Sequence, residues 1–313
     1  MIPQRQRLQH RITAGRFTLP AVIVIAALLQ TVAHLLYPSV RLSSFLLSLL
    51  AITVSAYTLI VMNNSFALIR KRASVQTSNY ILLISVCPLL LHHHYDNLAA
   101  LSLLYTLLFL FRSYQQKEGA DNLFYAFTFL GIGSLFLPPL IGFLPLFWLG
   151  SYQFLSLSPR SFFASLLGFA LPFWFVLGHL IWHDQLPLLS GYVAQWIPFQ
   201  SSLNILQSWQ IATLCYLLLL FLVSAIHCLI TGFDDKLRTR AFLQYLITLT
   251  LCLFLAVLLY PQQATGWMTL ICIPVSILSG HLFVLTHSRS SNLFFIFSAI
   301  LWLALYFYNI LHQ

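Results

Sequence analysis

The stretch Leu135-Phe136-Leu137-Pro138-Pro139-Leu140-Ile141-Gly142-Phe143-Leu144-Pro145 lies midway through one apolar block, Leu123 to Leu157, and its reading decides how the rest of the chain is threaded. Two adjacent prolines remove two backbone donors and bias the residue before them away from the helix. In lipid every backbone polar group needs an internal partner. A continuous helix through Pro138-Pro139 is therefore expensive, and a tight turn at the membrane edge is not. At about 1.5 Å per residue, the halves Leu123–Leu137 and Leu140–Leu157 are each somewhat shorter than a ~30 Å hydrocarbon core, so the block reads as a short helical pair.

The membrane setting follows from composition. Of 313 residues, 60% are hydrophobic and only 7% are charged, and long apolar runs recur from end to end. This is the composition of an all-α, polytopic transmembrane bundle, with no stretch long enough for a separate soluble domain. The five cysteines, Cys87, Cys215, Cys228, Cys252 and Cys272, lie inside apolar spans and form no CxxC pair, so they read as small core residues. The net charge of +9 does not point to nucleic acid, because the basic residues sit at span ends, where membrane orientation explains them. The expected partners are the lipid bilayer and, as candidates, other membrane proteins; no cofactor is expected.

Residues 1–16 form a basic arm carrying Arg5, Arg7, Arg11 and Arg16 and no acid, suited to anionic lipid headgroups. The next run, Phe17–Leu36, is long enough to span and is not followed by a small-x-small cleavage site, so it reads as the first span rather than a signal peptide. Residues 17–313 read as a single transmembrane domain. Its spans are Phe17–Leu36 and Ser43–Met62, then short helical pairs near 80–111 and 123–157. They continue with Ser161–Trp182, Ile211–Ile230, Phe242–Tyr260, Trp267–Thr286 and Leu293–Leu311. The segment 185–210, with Trp196, Pro198 and Trp209, reads as lying along the outer interface. With the hairpin at Pro138, fourteen of the fifteen lysines and arginines fall on the inner side and Arg41 alone falls outside; with one continuous span the division is nine to six. The positive-inside rule selects the hairpin. The expectation is about eleven spans, with the N-terminus cytoplasmic and the C-terminus outside.

That topology gathers polar residues on the outer face: His92, His93, His94, Asp96, His179, His183 and Asp184. His179 and His183 are four apart and share a helix face, and with Asp184 they form a candidate site for zinc or copper. His92, His93, His94 and His183 are candidates for binding a polar substrate. Asp96 and Asp184 are candidate catalytic carboxylates, as a general base or as an anchor for a cationic or sugar group. The competing reading is plain interfacial decoration, since an imidazole sits comfortably half wet at a span end. On the inner side, Asp121 reads as a helix N-cap, and Asp234-Asp235 as part of a solvated loop. His227 and His281 lie within spans near their inner ends, as functional groups or as packing. Pro274 with Ser276, Ser279 and Gly280 marks a kink and a close helix approach. No P-loop, GxSxG or HExxH motif occurs, no span carries an acid at mid-depth, and no internal inverted repeat stands out.

Several of these positions form a pattern. Asn64 with Arg70 follows the second span, and the next short span ends near Pro88. Phe124, Ala126, Gly131, Ser134 and Leu135 line the first arm of the hairpin, and Gly168 and Pro172 lie in the span after it. From Asn63 to about Val176 the chain resembles an uncharacterised family of polytopic inner-membrane proteins of Bacteroidetes. The resemblance implies the cytoplasmic membrane of a diderm bacterium and no particular activity. In its aromatic-rich spans and short helical pairs the chain also resembles membrane glycosyltransferases that use polyprenyl-phosphate sugars. Those enzymes place a carboxylate in a long first outer loop. Here that loop, Tyr37–Leu42, is tiny and has no acid, so Asp96 or Asp184 would have to replace it. Three functions are therefore expected in turn. The first is a non-catalytic component supporting envelope assembly. The second is transfer or flipping of a lipid-linked glycan or other lipid at the outer leaflet. The third is transport of a small solute or metal, which would need a polar cavity reaching His227 or His281.

Overall fold

The computed structural model describes residues 8–13, 15, 17–36, 42–70, 74–88, 90, 93–116, 119–197, 205–286 and 288–312, leaving aside the side chains of Leu8, His34, Leu36 and Asp234. Arg5, Arg7, Arg16, Arg41, Lys71, Arg72, His92, Lys117 and Pro198 lie outside the described residues. The helices are α1 Leu8–Thr13, α2 Thr18–Leu36, α3 Leu42–Phe66, α4 Val75–Ser85, α5 His94–Arg112, α6 Ala120–Phe136 and α7 Leu144–Gln153. They continue as α8 Pro159–Trp182, α9 Leu188–Ala194, α10 Ser208–Thr231, α11 Leu237–Leu259, α12 Ala264–Leu285 and α13 Arg289–His312. The protein is all-α and mostly membrane-spanning. Among the described residues, six helices are long and apolar enough to cross a bilayer: α3, α8, α10, α11, α12 with the short turn before it, and α13.

The packing follows the logic of a membrane protein, in which small side chains turn inward and large apolar ones face lipid. On α8 the buried positions are Ser161, Ser165, Gly168 and Pro172, whereas Phe163, Leu167, Trp174, Phe175 and Trp182 are exposed. A Cβ on Gly168 would collide with the Phe124 carbonyl of α6, and one on Gly131 would lie 2.7 Å from the Phe169 carbonyl. These two glycines let α6 and α8 approach backbone to backbone. The helix α12 is the opposite case: 94% of its most apolar window is buried. It continues through Pro274 without a break.

The double proline ends a helix. α6 stops at Phe136, and a 3₁₀ turn spans Pro138–Phe143 before α7 begins at Leu144. The chain then runs back along itself. The Phe127 ring lies 6.5 Å from Phe147 and 6.0 Å from Trp148. At the far end, Gln115 N–H donates to the Phe154 carbonyl at 2.8 Å and Ser113 Oγ donates to Ser156 Oγ at 3.1 Å. The chain thus leaves α7 beside the point where it entered α6. Asp121 lies inside the first turn of α6, whose N-cap residue is Gly119 rather than the aspartate.

The fold gathers into two compact units. One comprises 1–94, 207–250 and 271–313, the other 95–206 and 251–270, so the division falls within α11 and within α12. In the second unit the segment after α8 is pinned by polar contacts. Tyr192 O–H donates to the Ser134 carbonyl at 2.7 Å, and Tyr260 O–H to the Trp196 carbonyl at 2.9 Å. In the first unit Trp302 Nε1 donates to Leu82 O at 2.7 Å and Asn309 Nδ2 to Val86 O at 2.9 Å, tying α13 to the end of α4.

Candidate metal centre

The site lies in the first unit and is assembled from three chain exits. At the end of α3, Ala67 takes a left-handed φ of 49° and its N–H bonds the Asn63 carbonyl at 2.9 Å. The Asn63 side chain then accepts the Ile69 N–H at 3.0 Å, so the chain turns sharply and delivers Arg70. At the end of α10, a single 3₁₀ turn, Gly232–Asp234, leads into Asp235, which is extended at φ −86° and ψ 153°. The third contribution is α12. A Cβ on Gly280 would lie 3.0 Å from Gln76 Cα, and Asn79 Nδ2 donates to Ser279 Oγ at 3.0 Å. The small residues at 279 and 280 thus seat α4 against α12 and fix the register that places His281.

The Asp235 carboxylate, expected in a solvated loop, is completely shielded from solvent. It accepts from Arg70 Nε at 2.5 Å on one oxygen and from His281 Nε2 at 3.1 Å on the other. Because a carboxylate only accepts, Nε2 carries a proton, and in the neutral ring Nδ1 keeps its lone pair. That nitrogen faces Cys228 Sγ at 3.5 Å. The His227 ring stands edge-on to the His281 ring at 5.8 Å, and its own Nδ1 lies 3.4 Å from Thr231 Oγ1. The ligand atoms of His227, Cys228 and His281 all fall within 4.8 Å of one another. A metal bound at about 2.0–2.3 Å to each would need them about 1 Å closer at most, which side-chain rotation supplies.

The surroundings suit a cation. His227 lies four residues before the end of α10, and His281 four before the end of α12, toward the negative ends of the two helix dipoles. Asp235 behind His281 supplies the carboxylate–histidine buttress that orients metal-binding imidazoles. Cys228 also lines an open cleft of about 250 Å³, together with Gly232, Phe233, Arg240 and Gln244. Cys228 is therefore reachable from one side while His281 itself stays dry.

His227 and His281, read as intramembrane candidates, are in the cluster; the outer-face residues singled out by sequence fall elsewhere. His179 and His183 are both exposed at the end of α8, with ring centroids 4.4 Å apart. Asp184 follows them, exposed, at a left-handed φ of 52°. His93 is exposed and His94 half-buried at the start of α5. Asp96, half-buried, lies in the first turn of α5, and a Cβ on Gly266 would come within 3.1 Å of its Oδ1. The carboxylate therefore sits at the opening turn of α12, where free N–H groups favour an anion. Arg11 is exposed on α1, and that helix is anchored by its neighbour Gln9, whose amide donates to Phe283 O at 2.8 Å and accepts from Ser291 Oγ at 3.1 Å.

Neither Asp235 nor Cys228 carries a local motif. The sequence signals for the cluster are the intramembrane histidines His227 and His281 and the adjacency of His227 and Cys228 near a span end, one short loop before an aspartate. Comparison with known proteins gives no match: no family model, no curated protein and no solved structure aligns with this chain.

Proposed function

We propose that this multi-pass membrane protein is a carrier of a transition-metal ion, bound by His227, Cys228 and His281. The observation that carries the reading is the convergence of these three ligands with Asp235 bonded behind His281. Of the three functions expected from sequence, it favours solute or metal transport. Neither a supporting role in envelope assembly nor lipid-glycan handling at the outer leaflet gives a reason for a buried cysteine–histidine–carboxylate line. The reading is tested by loading purified protein with zinc or copper, desalting it, and measuring metal per protein. Wild type should retain one ion, and His281→Ala and Cys228→Ser should retain none. Equal retention in all three would overturn it.

The same atoms also form a thiol–imidazole–carboxylate line of the kind that activates a cysteine nucleophile. His227 has no part in that chemistry. His227→Ala should abolish metal retention under the first reading, and should leave alkylation of Cys228 by iodoacetamide unchanged under the second.

The topology proposed with this reading is about eleven crossings, with the N-terminus cytoplasmic, in the cytoplasmic membrane of a diderm bacterium. The charge count supports it, and it puts the ligand cluster at the cytoplasmic end of its helices. Single cysteines replacing exposed Gly142, Asp184 and Lys236 in a cysteine-free background test it. Gly142 and Asp184 should label from outside and Lys236 from inside. Labelling of Gly142 and Lys236 from the same side would refute it.

A further inference from the structure

We infer that the ion is a soft monovalent cation, Cu(I) in chemical class, rather than zinc; this rests on the metal-carrier reading above. The argument is one of charge in a dry place. Among the described residues, Asp235 is already neutralised by Arg70 and is turned toward His281 by its second oxygen, so its charge is not free to coordinate. His227 and His281 coordinate as neutral rings. Among the described side chains, the one negative charge available at the ion is the Cys228 thiolate. A monovalent cation therefore closes the site at zero, and a divalent one leaves an uncompensated positive charge.

That extra charge would sit where His281 has no solvent exposure and Cys228 has 5%. It would also lie beside the cleft that Cys228 lines together with the cationic Arg240. An unpaired charge buried in low dielectric is strongly disfavoured. The carbonyl ends of α10 and α12 draw a cation of either valence, and the N-terminus of α11 at Leu237, two residues from Asp235, offsets part of their pull.

Ligand chemistry points the same way. The thiolate is a soft donor and the two imidazoles are borderline; Cu(I) is satisfied by these three ligands, whereas structural zinc is almost always four-coordinate. Binding exchanges one proton for one ion: the Cys228 S–H bond breaks, the S–Cu bond forms, and the proton leaves to water through the cleft. No electron changes hands.

The test uses the full-length protein in detergent under anaerobic conditions. Cu(I) is titrated against a bicinchoninate competitor and Zn(II) against a chromophoric chelator. Ag(I) serves as a second monovalent probe without redox chemistry. To isolate the site, the titrations are repeated in a variant lacking Cys87, Cys215, Cys252 and Cys272, which form no disulfide in the wild type. The expected result is one Cu(I) bound at least 100-fold more tightly than Zn(II), displaced one for one by Ag(I), with X-ray absorption showing one sulfur and two nitrogen ligands. Cys228→Ser should cost at least 100-fold, and Asp235→Asn about 10-fold through lost orientation of His281. Zinc binding as tight as copper would sink this inference and leave the metal reading standing. Failure to bind either ion would sink both, and Cu(I) binding that ignores Cys228→Ser would show that the ion sits elsewhere.

Discussion

The end of α8 and the ends of α10 and α12 all carry histidines, and they differ in what brings the rings together. His179 and His183 stand one turn apart on the same exposed helix end, and their 4.4 Å separation is what that spacing gives any such pair. Cys228 and His281 are 53 positions apart on different helices and meet out of water. The first arrangement costs nothing to make. The second needs a left-handed cap at Ala67, a short exit after α10 and a glycine contact at Gly280, all in register. Juxtaposition that follows from helix periodicity carries little information about function. Juxtaposition that several independent placements must maintain carries much more.

The hardest blow to that contrast is Asp235→Ala. It strips His281 and Arg70 of their shared acceptor, and removing one partner of a buried pair costs about 3 kcal/mol. Arg70 is 40% exposed and can turn to water, so most of the loss should trace to His281. Thermal unfolding in detergent should show a midpoint several degrees lower, largely restored in Asp235→Asn, whose side-chain oxygen still accepts from Nε2. An unshifted midpoint in the alanine variant would mean that the buried set holds the fold no better than the exposed pair does.

Gly168→Leu comes next. It forces α6 and α8 apart at the Phe124 carbonyl, and overpacking of this kind costs about 1–3 kcal/mol. The helix it disturbs carries His179 and His183, whereas the ligand cluster belongs to the other compact unit. Stability should fall while metal stoichiometry per folded protein stays at wild type. Loss of bound metal in this variant would tie the ion to the second unit and break the comparison.

What the sequence discloses divides along the same line. The all-α membrane class is legible because it depends on composition, and the helix end at Phe136 because Pro138-Pro139 is a local instruction. The ends of the long apolar helices are legible to within about five residues, whereas the short run read from Tyr80 onward is helix over Val75–Ser85. The cluster is not legible. Asp235 looks like any loop acid, since its burial is set by Arg70 and His281, 165 and 46 positions away. Cys228 looks like any apolar-span cysteine. By contrast, the run at 92–94 and the pair 179–183 are conspicuous in one dimension because histidine stands out against a hydrophobic background, whatever it does.

Ala67→Gly tests the cap that delivers Arg70. A non-glycine residue at φ 49° is strained, and glycine at that position should stabilise the protein by about 0.5–1 kcal/mol. If the sharp exit from α3 is what positions Arg70, metal affinity should be unchanged or slightly tighter. A glycine variant that is both less stable and weaker in metal binding would show that the turn is held by the Ala67 side chain rather than by the Asn63 bond.

The smallest effect is expected at the most conspicuous residues. His179→Ala with His183→Ala removes two exposed rings from a helix end, and surface substitutions of this kind change stability by less than about 0.5 kcal/mol. Histidine is a modest helix former and alanine the best, so a slight gain is as reasonable as a slight loss. Metal retention should match wild type, because none of the three proposed ligands is touched. Asp184→Gly, added to the pair, relieves the φ of 52° and should move stability upward by a similar small amount. If the double variant instead lost its metal, the ion would belong to the i,i+4 pair after all, and the convergence of His227, Cys228 and His281 would be the feature left without a use.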